Sequence, residues 1–559
     1  MVSLRLLLCS ALMCPWSVYA RPGRGLSGEA CNNVTEPGPF PHQPAIRDSQ
    51  NFTSEYFIGS AARANKLAPS FRFSPDASLM HADGGNSHAV DKPGPLGRNP
   101  RVSSASAASG VPYMMLWGAD GGLTTGYVDT TAVDTATGGP RFGIAAVDPG
   151  TLQTVATWFP PGGNKTLGYA YMQLMRETNE ILVNAAEGDI YLVQRCGGGG
   201  SSGNHAPSFT TTRTISVADV MRRGEQLTNS MFDAAGNIWF TTGAISSRGD
   251  GMQNGTTYGF VTPQGEIVKE RIENEMVENG IAISGVNVYM QTGPSGTADI
   301  AGARGYAYSL TADSSTGKVA ITTRWRVAYD AGSGRGDVGT SRGSGTTPTL
   351  LGDDFVALVD KADSQVHLNV YRQEPQGEGE GEKQLFCRVP LFEAGRSNAD
   401  ISMIGHFDGE TYGTMILNDY GRRKIYEANP ENPGDINGDW ADMSVMAGGM
   451  QRIDVDPRSG ECSTRWTSPL AVKNVPLLST ATGLVYGWAQ DTERAAGAGE
   501  YSWYMAATEW DTGRTAFKVH AGNGGIFSEN WTQGTLGPDG TYYQTVVGGL
   551  VSVRDGEDD

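Results

Sequence analysis

The chain has 559 residues, a formal net charge of −18, 76 glycines and 28 prolines. The negative charge argues against nucleic acid and anionic membrane surfaces as partners, because both are bound through a basic face. The glycine content is too high for a helical chain and is typical of short strands joined by tight turns.

The first 20 residues are organised like a secretory signal peptide. Arg5 precedes an apolar run over residues 6–13, and a small-residue segment ending in Ala20 follows. The apolar run is too short to span a bilayer, and no later run is long enough. We therefore predict a secreted chain, cleaved after Ala20 and not inserted in a membrane.

An extended arm rich in proline, glycine and asparagine is expected over residues 21–65, and one folded domain over residues 66–559. Six cysteines less the two in the signal peptide leave four, Cys31, Cys196, Cys387 and Cys462. An even number in an oxidising export route predicts two disulfides, with three pairings open. Sequons for surface glycans occur at Asn33, Asn51, Asn164, Asn254 and Asn530.

The strand pattern begins at Leu67 and is clearest between Leu227 and Arg271. Two alternating runs meet there at the turn Ala235-Gly236-Asn237, and two more meet at a turn ending in Gly265. Strands bounded by such turns predict a four-stranded antiparallel meander. One such sheet cannot bury both of its faces, so copies of it must stack together.

Similar units recur along the chain, each with a strand, an Asp- or Gly-bearing turn and an outer strand. Examples lie at residues 144–158, 305–325, 450–466 and 505–519. Sheets that repeat at this period form a radial or linear array, and radial closure removes their exposed edges. The sequence therefore predicts an all-β fold, a single β-propeller of about eight four-stranded blades, with seven as the alternative.

The last unit, residues 533–553, is one strand short. A strand from the N-terminal end of the domain can supply the missing one, and the run Ser70–Phe73 is the candidate. Such a strand would close the ring by joining the two ends of the chain.

The segment Trp510-Asp511-Thr512-Gly513-Arg514 and its degenerate counterparts resemble the repeats of quinoprotein alcohol-dehydrogenase-like propellers. The resemblance covers most of the mature chain and implies the propeller architecture. The quinone enzymes of that family carry adjacent cysteines near the cofactor. This chain has no Cys-Cys pair, so a quinone cofactor is not expected.

A more local resemblance links Asn229–Phe240 and Val277–Ile283 to blade openings of gluconolactonase and strictosidine-synthase-like propellers. In that group an Asn or Asp that opens an innermost strand points into the central channel, and some members hold calcium there. The resemblance implies that Asn229, Asn279 and Asp400 are candidate metal ligands, with calcium as the candidate cofactor.

The first residues of the innermost strands should meet at one end of the propeller axis. This predicted polar ring comprises Tyr171, Asn229, Asn279, Thr347, Asp400, Pro476 and Gln533. Amide carbonyls with one carboxylate supply part of a calcium shell. The alternative is that Asn229 and Asn279 bond neighbouring backbone groups at strand starts.

Within this ring we assign Tyr171, Thr347 and Gln533 to substrate binding and Asp400 to catalysis. His406, six residues after Asp400, is a second candidate base. His81, Asp83 and His88 form another His/Asp group, in a Gly/Asn-rich loop. Because their spacing matches no rigid metal template, we expect a solvated loop there.

Two functional hypotheses remain open. The first is a secreted enzyme that acts on a small molecule at the channel, either a lactonase or ester hydrolase or an oxidoreductase. The second is a secreted binding or structural propeller without chemistry, because no His-Glu-x-x-His or P-loop motif is present. In both cases we expect a monomer with a small-molecule or other ligand.

Overall fold

A computed structural model describes the chain from Ser78 onward with several gaps. The described ranges are 78–106, 110–130, 140–163, 165–175, 178–197, 206–243, 255–277, 279–295, 302–313, 318–333, 342–377, 383–423, 441–529 and 531–556. All five sequons, Cys31 and the run Ser70–Phe73 lie outside these ranges.

Eight antiparallel sheets form the blades of a β-propeller, which confirms the predicted fold and the predicted number of blades. The strands of the first four blades, from the innermost outward, are as follows. Blade 1 has Gly110–Trp117, Leu123–Asp129, Arg141–Asp148 and Gln153–Trp158, and blade 2 has Leu167–Leu174, Glu180–Ala185, Asp189–Cys196 and Ser208–Ser216. Blade 3 has Gln226–Phe232, Ile238–Gly243, Gly255–Val261 and Ile267–Glu273. Blade 4 has two short innermost strands, Glu275–Met276 and Ala282–Ser284, followed by Asn287–Pro294, Arg304–Asp313 and Ala320–Asp330.

The remaining blades follow in chain order, with two contributions from the N-terminal side. Blade 5 has Thr349–Leu351, Phe355–Val359, His367–Arg372 and Leu385–Pro390; blade 6 has Ile404–Phe407, Tyr412–Leu417, Met450–Asp456 and Glu461–Ser468; blade 7 has Leu477–Ser479, Leu484–Gln490, Ser502–Glu509 and Thr515–Asn523, with Ala89–Val90 paired in parallel to its innermost strand; blade 8 has Thr535–Leu536, Tyr542–Val546, Gly549–Arg554 and, outermost, Arg101–Ser106. The described helical elements are the α-helix Thr492–Ala498 and the 3₁₀ turns Ala218–Val220 and Gly525–Phe527.

No helix in the described part of the chain is long and apolar enough to cross a membrane.

The hairpin of blade 3 shows why these sequences turn where they do. The Asp233 carboxylate accepts hydrogen bonds of 2.9 Å from the backbone amides of Ala235 and Asn237. Gly236 occupies the left-handed region at φ 84°, which other residues adopt at a cost. A second oxygen of Asp233 accepts a bond of 2.9 Å from Trp239 Nε1, which ties the turn to the core between blades.

Large buried aromatic side chains and one disulfide join neighbouring blades. Trp466 Nε1 of blade 6 donates to the carbonyl of Trp510, which follows the third strand of blade 7, at 2.8 Å. Cys387 and Cys462 form a disulfide between the outermost strands of blades 5 and 6. Cys196 is exposed and unpaired in the part of the chain that is described. A second disulfide therefore remains a prediction that depends on Cys31.

The ring closes with an N-terminal strand, as predicted, but the segment is different. Arg101–Ser106 pairs with Gly549–Arg554 and completes blade 8, about thirty residues beyond the predicted run. The sequence of this strand, Arg-Val-Ser-Ser-Ala-Ser, lacks an apolar alternation, since its outer position leaves most of it exposed. Pattern reasoning therefore selected the more hydrophobic Ser70–Phe73.

A further N-terminal stretch, Ser78–Val90, lies at the propeller axis and is named here the axial segment. Its carbonyls at Gly84, Gly85, Ser87 and His88 accept hydrogen bonds of 2.8–2.9 Å from innermost-strand amides. The donors belong to blades 4, 5, 6 and 7 and are Ile283, Leu350, Gly405 and Leu478. In blade 8, the amide of Leu536 donates to Ser78 Oγ at 2.9 Å.

This arrangement corrects the expectation of a solvated loop. The inner edge of each blade presents backbone amides that need an acceptor, and the axial segment supplies one to each of five consecutive blades. His81 and His88 are consequently buried, with 1 % and 4 % of their surfaces exposed.

Candidate functional site

Three residues of the predicted polar ring are joined by hydrogen bonds at the axis. The Tyr171 hydroxyl donates to Asn279 Oδ1, and Thr347 Oγ1 donates to the same oxygen at 3.1 Å. The two hydroxyls are 3.4 Å apart. Side chains separated by up to 176 positions in the sequence therefore meet at one point.

Asn229 extends this group from blade 3. Its Nδ2 donates to Thr241 Oγ1 at 2.6 Å and to the carbonyl of Asn279 at 3.4 Å. Asn279 Nδ2 donates in turn to the carbonyl of Gly345. The asparagines thus bond backbone groups near strand starts, which was the alternative to metal binding.

Asn279 Oδ1 also accepts a bond of 3.1 Å from Gly280 N, in addition to those from Tyr171 and Thr347. An oxygen with three donors has no lone pair to offer to calcium, which requires six to eight oxygen ligands. The residues predicted to hold calcium therefore fit that ion poorly as they are arranged, although Asn229 Oδ1 is buried without a hydrogen bond.

The axial segment meets the polar ring through two histidines. The ring of His81 stacks on Tyr171 with centroids 4.9 Å apart, and the ring of His88 stands at 77° to that of His81 at 4.8 Å. His88 Nδ1 donates to Gln533 Oε1 at 2.5 Å. Burial lowers the pKa of both histidines, and that of His88 falls to about 4, so both rings are neutral at neutral pH.

Asp400 lies in a separate group at the same end of the blades, named here the carboxylate cluster: Lys361, Asn398, Asp400 and Asp419. Lys361 Nζ lies 2.6 Å from Asp400 Oδ1 and also donates to Asn398 Oδ1. Asn398 Nδ2 donates to both carboxylates, at 3.1 Å to Asp400 and 2.5 Å to Asp419. The Asp400 backbone amide donates to the other oxygen of Asp419 at 3.0 Å.

Gly345 connects the carboxylate cluster to the polar ring. A β-carbon at that position would lie 2.4 Å from Asp400 Oδ1, and the Gly345 carbonyl accepts from Asn279. The absence of a side chain on Gly345 lets the two groups of polar residues approach each other.

The carboxylate cluster continues into further buried charges towards blades 7 and 8. Arg422 pairs with Glu529 at 3.3 Å, and Lys473 Nζ donates to Ser528 Oγ at 2.6 Å. Burial raises the pKa of Glu529 and lowers that of Lys473 to about 7. Burial and the nearby charge of Asp400 raise the pKa of Asp419 to about 7.

The other two predicted residues lie in different surroundings. His406 is buried in the innermost strand of blade 6, and its ring meets Trp510 edge to face at 5.7 Å. It faces the boundary with blade 7, whereas Asp400 pairs with Lys361 of blade 5. Pro476 follows Val475, which forms a bridge with Gln533. The catalytic and binding roles assigned to the ring remain predictions.

Sequence reasoning missed Lys361, Asn398, Asp419, Lys473 and Glu529. A usable signal was present, because Lys361 and Asp419 each follow closely after the apolar second strand of their blade. In an antiparallel pair, the end of the second strand lies beside the start of the first. A search for polar residues at both positions would have found the carboxylate cluster.

A cavity of about 350 Å³ opens elsewhere, between loops of blades 6 and 7. Its lining includes Met443, Met446, Leu470, Gln490 and Lys518. The carboxylate cluster does not line it.

The fold and this arrangement define a class of protein, the eight-bladed β-propeller with a polar axis. No protein-family model matches the chain, and no characterised protein matches its sequence. Solved propellers resemble it in structure. A quinohaemoprotein alcohol dehydrogenase from Pseudomonas putida HK5 shares 11 % identity over 87 % of this chain and 82 % of its own, with a TM-score of 0.42.

Two others illustrate the range of structural neighbours. The WD40 domain of SCAP from fission yeast has 9 % identity and a TM-score of 0.42, covering 81 % of this chain and 98 % of its own. A streptogramin B lyase has 11 % identity and a TM-score of 0.33, covering 82 % and 98 %. Enzymes and non-enzymes thus both occur among the neighbours, and at these scores none of them bears on function.

Proposed function

We propose that the protein is a secreted enzyme that hydrolyses an ester or lactone by acid–base chemistry at the carboxylate cluster. The observation that carries this proposal is the pair Asp400 and Asp419, which share the amide of Asn398 at one end of the propeller axis. Buried carboxylate pairs are costly to fold, and they recur where proton transfer is needed.

The two carboxyl groups differ in their surroundings, as an acid and a base must. Asp400 is ion-paired with Lys361 and acts as the base that takes a proton from water. The resulting hydroxide bonds to the carbonyl carbon, and the carbon–oxygen bond to the leaving group breaks. Asp419, which retains a proton up to about pH 7, gives that proton to the leaving oxygen.

Export is part of the proposal. The signal-like residues 1–20 and the disulfide between blades 5 and 6 support it. N-terminal sequencing of protein recovered from the medium should begin at Arg21. Protein retained inside the cell with Met1 intact would contradict export.

The catalytic proposal is tested by replacing each carboxylate with its amide. Asp400→Asn and Asp419→Asn should each lower the hydrolysis of an active ester or lactone by about 10²-fold or more. Asp219→Asn, at an exposed position in the 3₁₀ turn that follows blade 2, is the matched control and should retain wild-type rates. Full activity in both cluster variants, with the fold intact, would exclude this site.

A second candidate is a binding propeller without chemistry. It is favoured by the burial of the carboxylate cluster, where Asp400 has only 1 % of its side chain exposed, and by the axial segment. A wild-type protein that hydrolyses nothing in a broad panel of esters and lactones would favour this reading. In that case the cavity between blades 6 and 7 is the first place to test for a ligand.

A further inference from the structure

The axial segment carries two imidazoles in a buried, polar environment, and one nitrogen of His88 has no partner there. His88 Nε2 is inaccessible to solvent and makes no hydrogen bond, and the equally buried Nδ1 of His81 has the Asn86 side chain as its neighbour. Both residues are more than nine-tenths buried. Buried polar atoms without a partner are rare in native proteins and call for a bound ion, a water molecule or a ligand.

The hydrogen bond from His88 to Gln533 determines which nitrogen of His88 carries no proton. The amide oxygen of Gln533 can only accept, so the proton of the neutral imidazole resides on Nδ1. Nε2 then presents a lone pair. A histidine whose other nitrogen donates to an oxygen acceptor is the usual form of a metal ligand, since that bond orients the ring.

The two rings lie close enough together to share an ion. Their centroids are 4.8 Å apart and their planes stand at 77°. Two imidazoles bound to one tetrahedral metal ion at about 2.1 Å have centroids about 5 Å apart. Tyr171 stacks on His81 from another side and restricts its rotation.

The backbone holds both histidines in an uncommon conformation. His81 has φ 64° and His88 has φ 52°, in the left-handed region that non-glycine residues rarely adopt. Such conformations persist where the surroundings enforce them and often accompany function. Asn86, between them, is anchored by bonds from Nδ2 to the carbonyls of Ile281 at 3.0 Å and Pro348 at 2.7 Å, and its side chain also interacts with His81.

We propose that His81 and His88 bind one divalent transition-metal ion at the propeller axis. Asn86 Oδ1 and water are the remaining candidate donors, because no third His, Cys, Asp or Glu is grouped with the pair among the described residues. Nitrogen ligands favour zinc, copper or nickel over calcium or magnesium. The site shares no residue with the carboxylate cluster, and the proposal does not depend on any hydrolytic activity.

Zinc is the probe for the test. The full mature chain is stripped with a chelator, dialysed for hours against Zn²⁺ because the site is buried, and assayed for bound metal and affinity. His81→Asn and His88→Asn are chosen because asparagine tolerates the left-handed backbone. His520→Asn, on the outermost strand of blade 7, is the matched control.

Wild type and His520→Asn should bind one equivalent with the same affinity, and the two axial variants should bind at least about tenfold more weakly. Wild-type protein that binds no zinc would overturn the proposal. Equal affinity in all four proteins would overturn it as well.

A measurement on the wild type tests the proposal even if the variants fail to fold. X-ray absorption of the zinc-loaded wild type should show two imidazoles in the coordination shell. A shell with one imidazole or none would exclude the pair as the site.

Discussion

Lys361 Nζ and Asp400 Oδ1 lie 2.6 Å apart across the boundary between blades 5 and 6, with 11 % and 1 % of their side chains exposed. Removing the cation leaves the carboxylate buried without the ammonium group that pairs with it, which costs about 3–5 kcal/mol in buried pairs. We expect Lys361→Met to lower the free energy of unfolding by about that amount in urea denaturation. Lys269→Met, on an exposed position of blade 3, should change it by less than about 0.5 kcal/mol. Similar losses in both variants would contradict the prediction.

Asp419 should give the stability a distinctive pH dependence. Its pKa rises from an ordinary value of 3.8 to about 7 in the folded protein. Between these values the folded state binds more protons than the unfolded state, so the contribution of Asp419 to the free energy of unfolding falls as the pH rises. The cost is absent below about pH 4 and complete above about pH 7.

Urea denaturation between pH 4 and pH 7 measures this contribution. Wild type should lose up to about 4 kcal/mol more than Asp419→Asn over that interval, because each pKa unit corresponds to about 1.4 kcal/mol. Asp219→Asn should follow the wild-type curve. Parallel curves for wild type and Asp419→Asn would show that Asp419 has an ordinary pKa.

The disulfide should stabilise the folded ring, because a cross-link lowers the conformational entropy of the unfolded chain. It joins Cys387 and Cys462, which are 75 positions apart. Closing a loop of that length is worth about 4.5 kcal/mol in the chain-entropy model. We expect the double variant Cys387→Ser/Cys462→Ser to unfold at a lower denaturant concentration, with a loss of about 2–4 kcal/mol.

Cys196→Ser is the control for that experiment and also tests the second predicted disulfide. A count of reactive thiols in the folded mature chain should be zero if Cys196 is bridged to Cys31. Reactive thiol in wild type that disappears in Cys196→Ser would show that Cys196 is free.

Gly280 permits the close approach of blade 4 to Tyr171 at the axis. A β-carbon at that position would lie 2.1 Å from the Tyr171 ring. Overpacking of this kind costs about 1–3 kcal/mol, so we expect Gly280→Ala to lower the melting temperature. Gly497→Ala, where a β-carbon meets open space in the α-helix, should leave it unchanged or raise it slightly. If the melting temperature of Gly280→Ala equalled that of wild type, the close packing of Gly280 against the Tyr171 ring would be contradicted.

The blades could be predicted from sequence because each one repeats a local signal. Within Leu227–Arg271, alternation fixes the strands, and the Asp233 and Gly236 turn chemistry fixes where they reverse. The convergence of Tyr171, Asn279 and Thr347 then follows from ring geometry. Lys361 and Asp419 were missed because only the starts of innermost strands were considered.

The axial segment and the closing strand could not be predicted in the same way. Gly84 and Gly85 bind through backbone carbonyls, which leave no pattern of side chains. Arg101–Ser106 pairs at an outer edge, where burial imposes no apolar alternation. In both cases the position of the segment is determined by unpaired backbone groups at the edges of blades that lie hundreds of residues away in the sequence.

The pairing of Arg101 with Arg554 has a consequence for biosynthesis. The strand that completes blade 8 leaves the ribosome early, while its partner is among the last residues made. At about 5–20 residues per second, the early strand waits for tens of seconds. During that interval the early strand has no partner for its backbone groups, so the ring can close only after Arg554 has been made.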